Sequence, residues 1–419
     1  MSRPAAAYPP IPRRESPPGP APAAALRHPA ASGPRRMRVE RVPLPALGEA
    51  WRELEARART RNIFVSWQFQ RTWWEHFHHG KQGRVYLVRG PDGRPVAIVP
   101  LYVERRRYRF GTARVLSNVG AGAVVNPDFL DALVEPDREE EVARALAPHV
   151  LADPTWDFAD LNELPPDGSL PRIARVWARR YGIFFSAERR ATCPYVPLPG
   201  SFETYLAMRP AKFRHRVRRC RRRIERDLGV RWREVGPDLE PAHGAAILKD
   251  LHQRRMESRG RSGNFSRRAY FDFHRDLIER LADSGGLALF ILMSGGRPIA
   301  THYGFLHDGV YFGYQMGFAP RYHRYSPGFY MTGVIMEKLI ERGYREMNLL
   351  RGTDAWKFRW TDRTRHTIRV TLLRPGWRSS LARLRAALSA PPALVLRFLI
   401  GRDAFDELRR AWRRLADAR

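Results

Sequence analysis

The tetrapeptide Tyr325-Ser326-Pro327-Gly328 has the residue types of an anion-binding helix start. The hydrophobic pattern predicts a helix over about residues 328–342, directly after a basic loop. The first backbone N–H groups of a helix lack partners within it, and together with the helix dipole they attract phosphate groups. Proline in the first turn needs no amide donor, and glycine lets an anion approach the backbone. An ordinary helix cap is the alternative interpretation of the same four residues.

A second loop with candidate chemistry runs from Arg351 to Lys357, after a predicted strand at 345–350. Loops that follow strands often carry binding or catalytic residues. The cations Arg351 and Lys357 are suited to hold a phosphate group or an oxyanion that develops during a transfer reaction. A surface loop with solvated charges is the alternative.

The elements that would position these two loops are predicted from hydrophobic periodicity. The predicted strands span residues 84–89, 95–103, 156–164, 286–293, 298–306, 310–318, 345–350 and about 367–373. The predicted helices span residues 67–77, 213–228, 242–257, 267–282 and 328–342, the fourth with Ser266 as its N-cap. Three antiparallel strands, a loop, a helix and a further strand therefore surround the tetrapeptide, and the mixture predicts an α/β (α+β) fold.

Two hairpins share a short pattern. Residues 85–97 resemble residues 287–300, and both contain Gly-Arg-Pro followed by a β-branched residue and alanine, with glycines at Gly93 and Gly296. Because the two glycines are separated by about the length of one lobe, the repeat suggests a duplicated unit. Chance similarity is the alternative, since Gly-Arg-Pro forms turns in many contexts.

The bulk composition predicts two compact units and an anionic partner. A chain of 419 residues exceeds what one core usually organises. Its 74 Lys and Arg against 43 Asp and Glu give a net charge of +31, which attracts nucleotides, tRNA, anionic lipids and acidic glycans. The two cysteines, Cys193 and Cys220, lack metal-type spacing, which predicts a reducing compartment without disulfides or zinc.

Both ends of the chain have a composition unlike the middle. Residues 1–36 are rich in Pro, Ala and Arg and lack the apolar core of a signal peptide, so we expect a disordered tail, with Met1 and Met37 both open as start codons. Near the C-terminus the most apolar stretch, 392–400, is much shorter than the roughly 20 residues of a membrane span, so no transmembrane helix is expected. Residues 381–412 instead have the pattern of a basic amphipathic helix pair.

Several blocks of the chain resemble the acetyltransferase family labelled CelD/BcsL or BioF-like, a relative of the GNAT superfamily associated with cellulose or exopolysaccharide loci. The matching blocks are Trp67 to Trp74, Ala97 to Leu101, Phe202 to Leu206 with Lys212-Phe213-Arg214, Leu251-His252 with Arg255, Gly296 to Ala300, Tyr325 to Gly328, and Leu350-Arg351-Gly352 with Trp356-Lys357. They cover about residues 60 to 375. Met256 and Trp356 stand where the family usually has Trp and Tyr, and the usual GNAT phosphate-loop pattern is not literally present.

The resemblance implies two tandem GNAT-like lobes, each a mixed, mainly antiparallel sheet flanked by helices. The related Fem proteins have such lobes and use aminoacyl-tRNA in place of acyl-CoA. The expected units are a tail at 1–36, an N-terminal lobe at 37–195, a C-terminal acyltransferase lobe at 196–375 and a basic helical tail at 376–419.

The resemblance also implies acetyl-CoA or another acyl-CoA as co-substrate, with no metal. The expected donor-binding residues are Gly317, Phe318, Arg324, Tyr325, Ser326, Pro327 and Gly328. The expected acceptor-binding residues are Arg255, Arg351 and Trp356. The aromatic strand at 310–318 would carry the pantetheine arm, or it is an ordinary buried sheet face.

In GNAT chemistry an amine attacks a thioester directly, which requires a base, polarisation of the carbonyl and an acid for the thiolate. From their location alone we expect Tyr314, Asp354 and Lys357 to be catalytic, with Glu337 as a further candidate and the Gly317 N–H near the carbonyl. Lys357 would meet charge that develops only during transfer.

These observations predict a cytoplasmic acyltransferase that modifies an amine or hydroxyl of a small molecule or polysaccharide precursor. An aminoacyl-tRNA-dependent transferase and a non-catalytic basic adaptor at an anionic membrane surface are the alternatives. The arginine-rich face at 214–226 fits a solvated face, a nucleic-acid surface or acidic lipid, and it lacks the aromatic residues of base readout. The acceptor and the oligomeric state stay open.

Overall fold

The computed structural model describes residues 37–109, 111–122, 124–125, 127–374 and Leu381. The expected tails at 1–36 and 376–419 lie outside these residues, apart from Leu381. The described chain forms two lobes, each a mixed sheet flanked by helices, and this confirms the predicted fold class.

The N-terminal lobe is built from seven strands and four helices of the described chain. Its strands are β1 (Arg38–Arg41), β2 (Lys81–Arg89), β3 (Pro95–Tyr108), β4 (Gly111–Asn118), β5 (Leu133–Val134), β6 (Phe158–Leu164) and β7 (Phe184–Pro197). Its helices are α1 (Gly48–Glu55), α2 (Trp67–Phe77), α3 (Glu139–Val150) and α4 (Ser169–Tyr181).

The remaining elements follow β7 in the chain. The helices are α5 (Phe202–Ala207), α6 (Ala211–Leu228), α7 (Pro241–Glu257), α8 (Arg268–Asp283) and α9 (Pro327–Glu341). The strands are β8 (Arg231–Glu234), β9 (Leu287–Ser294), β10 (Arg297–His307), β11 (Val310–Phe318), β12 (Glu346–Asn348) and β13 (Thr364–Leu373). A short 3-10 segment, Pro320–Tyr325, joins β11 to α9.

One sheet runs through both lobes, in the order β1-β2-β3-β4-β6-β13-β7-β12-β11-β10-β9-β8, with β5 beside β3. Most neighbouring strands are antiparallel. The pairs β4–β6 and β11–β12 are parallel, and each is connected through a helix. In the C-terminal lobe, α7 and α8 pack on one face of the sheet, while α5, α6 and α9 contribute to the core on the other.

The two lobes repeat the same order of elements. Strand, two helices and three strands occur as β1-α1-α2-β2-β3-β4 and again as β8-α7-α8-β9-β10-β11. The Gly-Arg-Pro turns occupy corresponding hairpins, β2–β3 and β9–β10, and their glycines Gly93 and Gly296 have φ values of 83° and 74°. The structure therefore supports the duplication suggested by the sequence.

Strands β7 and β13 join the lobes. β13, which the sequence placed in the C-terminal lobe, lies between β6 and β7 in the sheet of the N-terminal lobe. The end of β7 pairs with β12 through Tyr195, Val196 and Pro197, so the expected boundary at 195/196 falls inside a shared strand. The proposed division at that point stays a prediction.

The structure corrects one predicted helix start. Ser266 is not the N-cap of α8, because it ends a short 3-10 segment and its hydroxyl donates to the Gly263 carbonyl over 2.7 Å. Arg267 occupies the N-cap position without a side-chain cap bond. Among the described residues, no helix combines the length and the apolar composition that a membrane span requires.

Candidate active site

Strands β11 and β12 separate within the C-terminal lobe. They pair at three positions, the last between Phe312 and Asn348, although β11 continues to Phe318. In the described chain, no strand pairs with this edge of β11 beyond Phe312. Tyr314 is an extra residue between Gly313 and Gln315, a β-bulge of the kind that often lies beside active sites. The two strands therefore form a wedge that is open toward the end of β11.

The start of α9 lies beside this wedge. Ser326 has φ 54° and no side-chain cap bond, and its carbonyl accepts from the N–H groups of Phe329 and Tyr330. The Gly328 N–H has no hydrogen-bond partner within the described part of the chain. A Cβ atom at Gly328 would lie 3.3 Å from the Met316 sulfur of β11. A free backbone donor is thus placed close to the open edge of β11.

A basic cavity of about 750 Å³ adjoins the same helix start. It lies between the Lys212 to Arg223 part of α6 and the segment before α9. Its lining residues are Pro210, Lys212, Phe213, His215, Arg216, Arg219, Cys220, Arg223, Arg324, Tyr325, Ser326 and Arg359. Six of these are Lys or Arg and none is a carboxylate, so the cavity has the electrostatic character of a phosphate-binding site.

Tyr325 is held in place by arginines from two elements. The guanidinium groups of Arg223 and Arg324 lie 4.9 Å and 5.0 Å from its ring centre, which is cation–π geometry. Its carbonyl accepts a hydrogen bond from the Cys220 thiol at 3.5 Å. The predicted anion-binding loop is therefore braced against α6.

Five of the expected donor-binding residues gather at this place. Arg324, Tyr325 and Ser326 line the cavity, and Pro327 and Gly328 begin α9. Their roles stay predictions. Sequence reasoning missed that α6 forms the opposite wall, although Arg216, Arg219 and Arg223 share one helical face and this spacing was readable from the sequence.

Gly317 and Phe318 occupy the end of β11. A Cβ atom at Gly317 would lie 2.4 Å from the backbone nitrogen of His252, so glycine is required there by the close approach of α7. The Phe318 ring lies under the guanidinium of Arg255 at 5.1 Å. Helix packing therefore accounts for both residue types, and their role toward a donor stays a prediction.

Arg255 reaches the open edge of β11. Its Nη1 donates to the Met316 carbonyl over 3.0 Å, whereas its Nε has no partner among the described residues. Burial lowers the pKa of Arg255 to about 10, and Arg259 adds to the lowering, while Asp354 opposes it. The expected acceptor-binding arginine is thus a partly buried cation with a spare donor beside the wedge.

Arg351 is already paired with the N-terminal lobe. Its guanidinium lies 2.7 Å from the carboxylates of both Asp128 and Glu163, and its backbone N–H also donates to Asp128. Two carboxylates oppose its single positive charge. In this arrangement Arg351 joins the lobes, and its expected acceptor-binding role would require these ion pairs to open.

Lys357 is buried, with 6% of its surface exposed. Its Nζ donates to the Leu350 carbonyl over 3.0 Å and also to the Arg351 carbonyl. Burial lowers its pKa. Asp354 is exposed and Trp356 is half-buried, with the Lys357 Nζ 5.8 Å from the centre of the Trp356 ring. The lysine therefore holds the 350–357 loop, and a direct role in transfer stays a prediction.

Tyr314 lies in an aromatic cluster at the bulge of β11. Its ring contacts those of Phe64, His274, Tyr303 and Phe305. Burial raises the pKa of its hydroxyl well above the usual value, so the group keeps its proton and is suited to donate rather than to act as a base. Glu337 lies elsewhere on α9 and is bound by Arg221 of α6 at 2.8 Å.

Comparison with known proteins points to one enzyme class. Residues 211–358 match the model of a family described as an acetyltransferase (GNAT) domain. The chain therefore contains a GNAT acyltransferase domain. The matched region includes the wedge, the start of α9 and all lining residues of the basic cavity except Pro210 and Arg359. No curated protein matches the chain.

Two solved structures with TM-scores above 0.5 share the fold of this chain. The acyltransferase is similar to FemX with 10% identity and a TM-score of 0.58, over 83% of this chain and 99% of FemX. A conserved protein of unknown function from Bacteroides thetaiotaomicron has 11% identity and a TM-score of 0.51, over 81% of this chain and 100% of that protein. A tandem GNAT protein from the clavulanic acid biosynthesis pathway has 12% identity and a TM-score of 0.44, over 82% and 100%.

Proposed function

We propose that the C-terminal lobe transfers an acetyl or other acyl group from acyl-CoA to an amine or hydroxyl of a small molecule or polysaccharide precursor. One observation carries the proposal: a carboxylate-free basic cavity meets the start of α9 beside the open edge of β11. The likeness to the CelD/BcsL family favours cellulose or exopolysaccharide synthesis as the setting. The net charge of +31 favours a cytoplasmic protein that contacts the anionic inner surface of the membrane.

Three parts of acyl-CoA fit three features of this region, namely the start of α9, the basic cavity and the open edge of β11. Its pyrophosphate would accept from the free Gly328 N–H at the positive end of α9. Its 3′-phosphate and adenosine would occupy the cavity, whose volume of about 750 Å³ is usual for a ligand site. The pantetheine arm would lie along β11, where it replaces the missing strand and brings the thioester to the wedge.

The transfer itself needs positioning more than new bonds to the protein. The acceptor amine attacks the thioester carbonyl carbon, a C–N bond forms, the C–S bond breaks, and the proton released by the amine ends on the thiolate of CoA. An acceptor hydroxyl follows the same course and forms an ester. Holding both reactants at the wedge supplies much of the rate enhancement.

Isothermal titration calorimetry tests the proposal. We expect acetyl-CoA to bind one site per chain, and 3′-dephospho-acetyl-CoA to bind about tenfold more weakly because it lacks the phosphate that meets the cavity arginines. Absence of binding of acetyl-CoA to the folded protein would reject acyl-CoA as the donor.

A specific observation favours aminoacyl-tRNA as the second candidate donor. The arginines of α6 continue outside the cavity as exposed residues, among them Arg218, Arg222 and Arg226. Such a surface suits the backbone of a nucleic acid, and the binding of one falls steeply with salt. Titration with tRNA in low and moderate salt, with acetyl-CoA in parallel, separates the two donors.

A further inference from the structure

His302 lies on β10, next to the point where β11 and β12 separate. Its cross-strand partner is Met316, and only 2% of its surface is exposed. A Cβ atom at Gly313 would lie 3.4 Å from His302 Cε1 and 3.7 Å from the carbonyl oxygen of Asn348, the last residue of β12. The outer end of the imidazole therefore reaches over Gly313 toward the apex of the wedge, and the missing side chain of Gly313 provides the space.

Tyr311 determines which nitrogen of this imidazole carries the proton. The Tyr311 hydroxyl lies 2.7 Å from His302 Nδ1. Burial raises the pKa of Tyr311 above its usual value, and burial lowers the pKa of His302 to about 4, with the charge of Arg255 adding to the lowering. Both groups are therefore neutral near pH 7. The Tyr311 hydroxyl has no other hydrogen-bond partner in the described part of the chain, and a phenol is a stronger donor than a neutral imidazole. We therefore infer that the phenol donates to Nδ1 and that the proton of the neutral ring is on Nε2.

The resulting Nε2–H has no acceptor in the described part of the chain. A buried donor without an acceptor is unfavourable, and such groups in native proteins often serve a ligand or a reaction. The start of α9 is close, because Met316 neighbours both His302 across the strands and Gly328 through its sulfur. The unpaired donor thus lies near the path that joins the proposed pyrophosphate site to the apex of the wedge.

We propose that His302 is a catalytic residue whose Nε2–H donates a hydrogen bond to the carbonyl oxygen of the bound acyl group, with Tyr311 as the positioning residue that fixes the tautomer. This inference rests on the proposed function of the wedge. Its chemistry requires an activated acyl carbonyl, which either a CoA thioester or the ester of an aminoacyl-tRNA would supply.

The hydrogen bond strengthens as the reaction proceeds. When the acceptor nitrogen attacks the carbonyl carbon, the C=O electron pair moves to oxygen, and the Nε2–H stabilises the oxyanion. The oxyanion then returns its electrons, the C–S bond breaks, and the sulfur takes up the proton that the amine has lost. His302 keeps its own proton throughout, as expected of a neutral imidazole that acts as an electrophile.

Infrared difference spectroscopy with acetyl-CoA labelled by 13C at the carbonyl tests the contact directly. In the wild type we expect the bound carbonyl stretch at a lower frequency than in water, because the hydrogen bond weakens the C=O bond. In His302→Phe the stretch should return to higher frequency, while calorimetry gives an acetyl-CoA affinity within about twofold of wild type. An unchanged carbonyl frequency in His302→Phe overturns the proposal.

The kcat values of three variants distinguish the loss of the His302 hydrogen-bond donor from the loss of its side-chain packing. We expect kcat to fall about 100-fold in His302→Phe, as for the loss of one oxyanion donor. His302→Gln retains an N–H donor and should recover at least about tenfold of that loss. Tyr311→Phe should lower kcat by about tenfold, because the ring then loses the hydrogen bond that fixes both its orientation and its tautomer. A kcat within twofold of wild type in His302→Phe also overturns the proposal.

Two further measurements separate a failure of the proposed acyl-CoA donor from a failure of the His302 inference. If wild type binds no acetyl-CoA but transfers from aminoacyl-tRNA, the proposed donor is wrong, and an equal loss in His302→Phe with that ester supports the inference. If His302→Phe fails to fold, 15N NMR of histidine-labelled wild type decides instead. A proton on Nε2 supports the assignment, and a proton on Nδ1 overturns it.

Discussion

The two lobes share one topology but differ at the helix that joins their parallel strands. In the N-terminal lobe this helix is α3, and its first turn carries Glu139, Glu140 and Glu141. In the C-terminal lobe it is α9, which begins with Pro327 and Gly328 and has no acidic residue in its first turn. Glutamates satisfy the positive end of α3 and repel phosphate, whereas the start of α9 faces arginines and stays available to an anion.

The parallel strand pairs of the two lobes also differ, because side chains bridge β4 and β6 beyond their paired residues. Beyond the paired residues of β4 and β6, the Asn118 side chain exchanges two hydrogen bonds with the backbone of Asn162, at 3.1 Å and 2.9 Å, and Ser117 donates to the Asp160 carbonyl. These side chains close the wedge that stays open between β11 and β12. The same duplicated order of elements thus yields one lobe with a closed wedge and an acidic helix start, and one lobe with an open wedge and a helix start that faces arginines. The proposed donor site therefore depends on a few residues at these positions.

We expect the largest effect from a glutamate in the first turn of α9, because it gives this helix start the negative charge of α3. We expect Gly328→Glu to weaken acetyl-CoA binding by at least about 100-fold, because it sets a carboxylate where the pyrophosphate would meet the helix start. The fold should persist, since the new side chain meets the flexible Met316. Gly328→Gln adds similar bulk without charge and should bind more tightly than Gly328→Glu. Equal CoA affinity in Gly328→Glu and wild type, measured by calorimetry, would place the donor site elsewhere.

Removal of Lys357 tests how much the loop after β12 stabilises the C-terminal lobe. We expect Lys357→Ala to lower the free energy of unfolding by about 2 kcal/mol, because two loop carbonyls lose a buried charged donor. Lys338→Ala removes a more exposed lysine and should change it by less than about 0.5 kcal/mol. Urea titration measures both. If Lys357→Ala keeps full stability while turnover falls about 100-fold, the lysine acts on charge that develops during transfer.

The pH dependence of stability tests the contact that Glu55 makes between the lobes. Glu55 ends α1 and lies 3.8 Å from His307 of β10. Burial raises the pKa of Glu55 from 4.5 to about 7, so the wild type loses stability as the pH rises between these values. We expect Glu55→Gln to match wild type below pH 4.5 and to exceed it by about 1–2 kcal/mol at pH 8, because it carries no buried charge.

The control for this pH effect is Glu53→Gln, which alters an exposed carboxylate two residues away. Its stability difference from wild type should stay constant between pH 5 and 8. A Glu55→Gln difference that is equally flat across this range would show that Glu55 is already ionised without penalty in the folded protein.

Substitutions of arginines in the basic wall of the cavity should have the smallest effect on acetyl-CoA binding. We expect Arg216→Gln with Arg219→Gln to weaken acetyl-CoA binding about fivefold at physiological salt, since each partly solvated cation contributes a few tenths of a kcal/mol. The matched pair Arg218→Gln with Arg222→Gln lies outside the cavity and should stay within twofold. If both pairs weaken binding equally, only the total charge of α6 matters.

Local features of this enzyme were predictable from its sequence. The alternation that predicted a strand at 310–318 corresponds to β11 at the same residues, and the periodic apolar face predicted α6. These patterns depend on neighbours a few residues away. The start of α9 was predictable for the same reason, because proline and glycine at a helix start have local conformational causes, and its anion-binding role stays a prediction.

Features that depend on distant residues were not predictable. Arg351 was expected to bind substrate, yet its charge is paired with Asp128 and Glu163 of the other lobe. The position of β13 beside β6 was equally hidden, because a strand pattern gives the faces of a strand and not its partner. The pair His302–Tyr311 was missed since neither residue has a sequence motif, and the unpaired Nε2 becomes visible only when its surroundings are known.

The place of β13 has a consequence for synthesis of the protein. The sheet of the N-terminal lobe has a gap between β6 and β7 until residues near 370 leave the ribosome, so this lobe cannot complete itself while the rest of the chain is being made. Such distant pairing slows folding and exposes strand edges in the meantime. A stop codon just before β13 would therefore damage the first lobe as much as the second, because the last strand of the described chain locks both halves together.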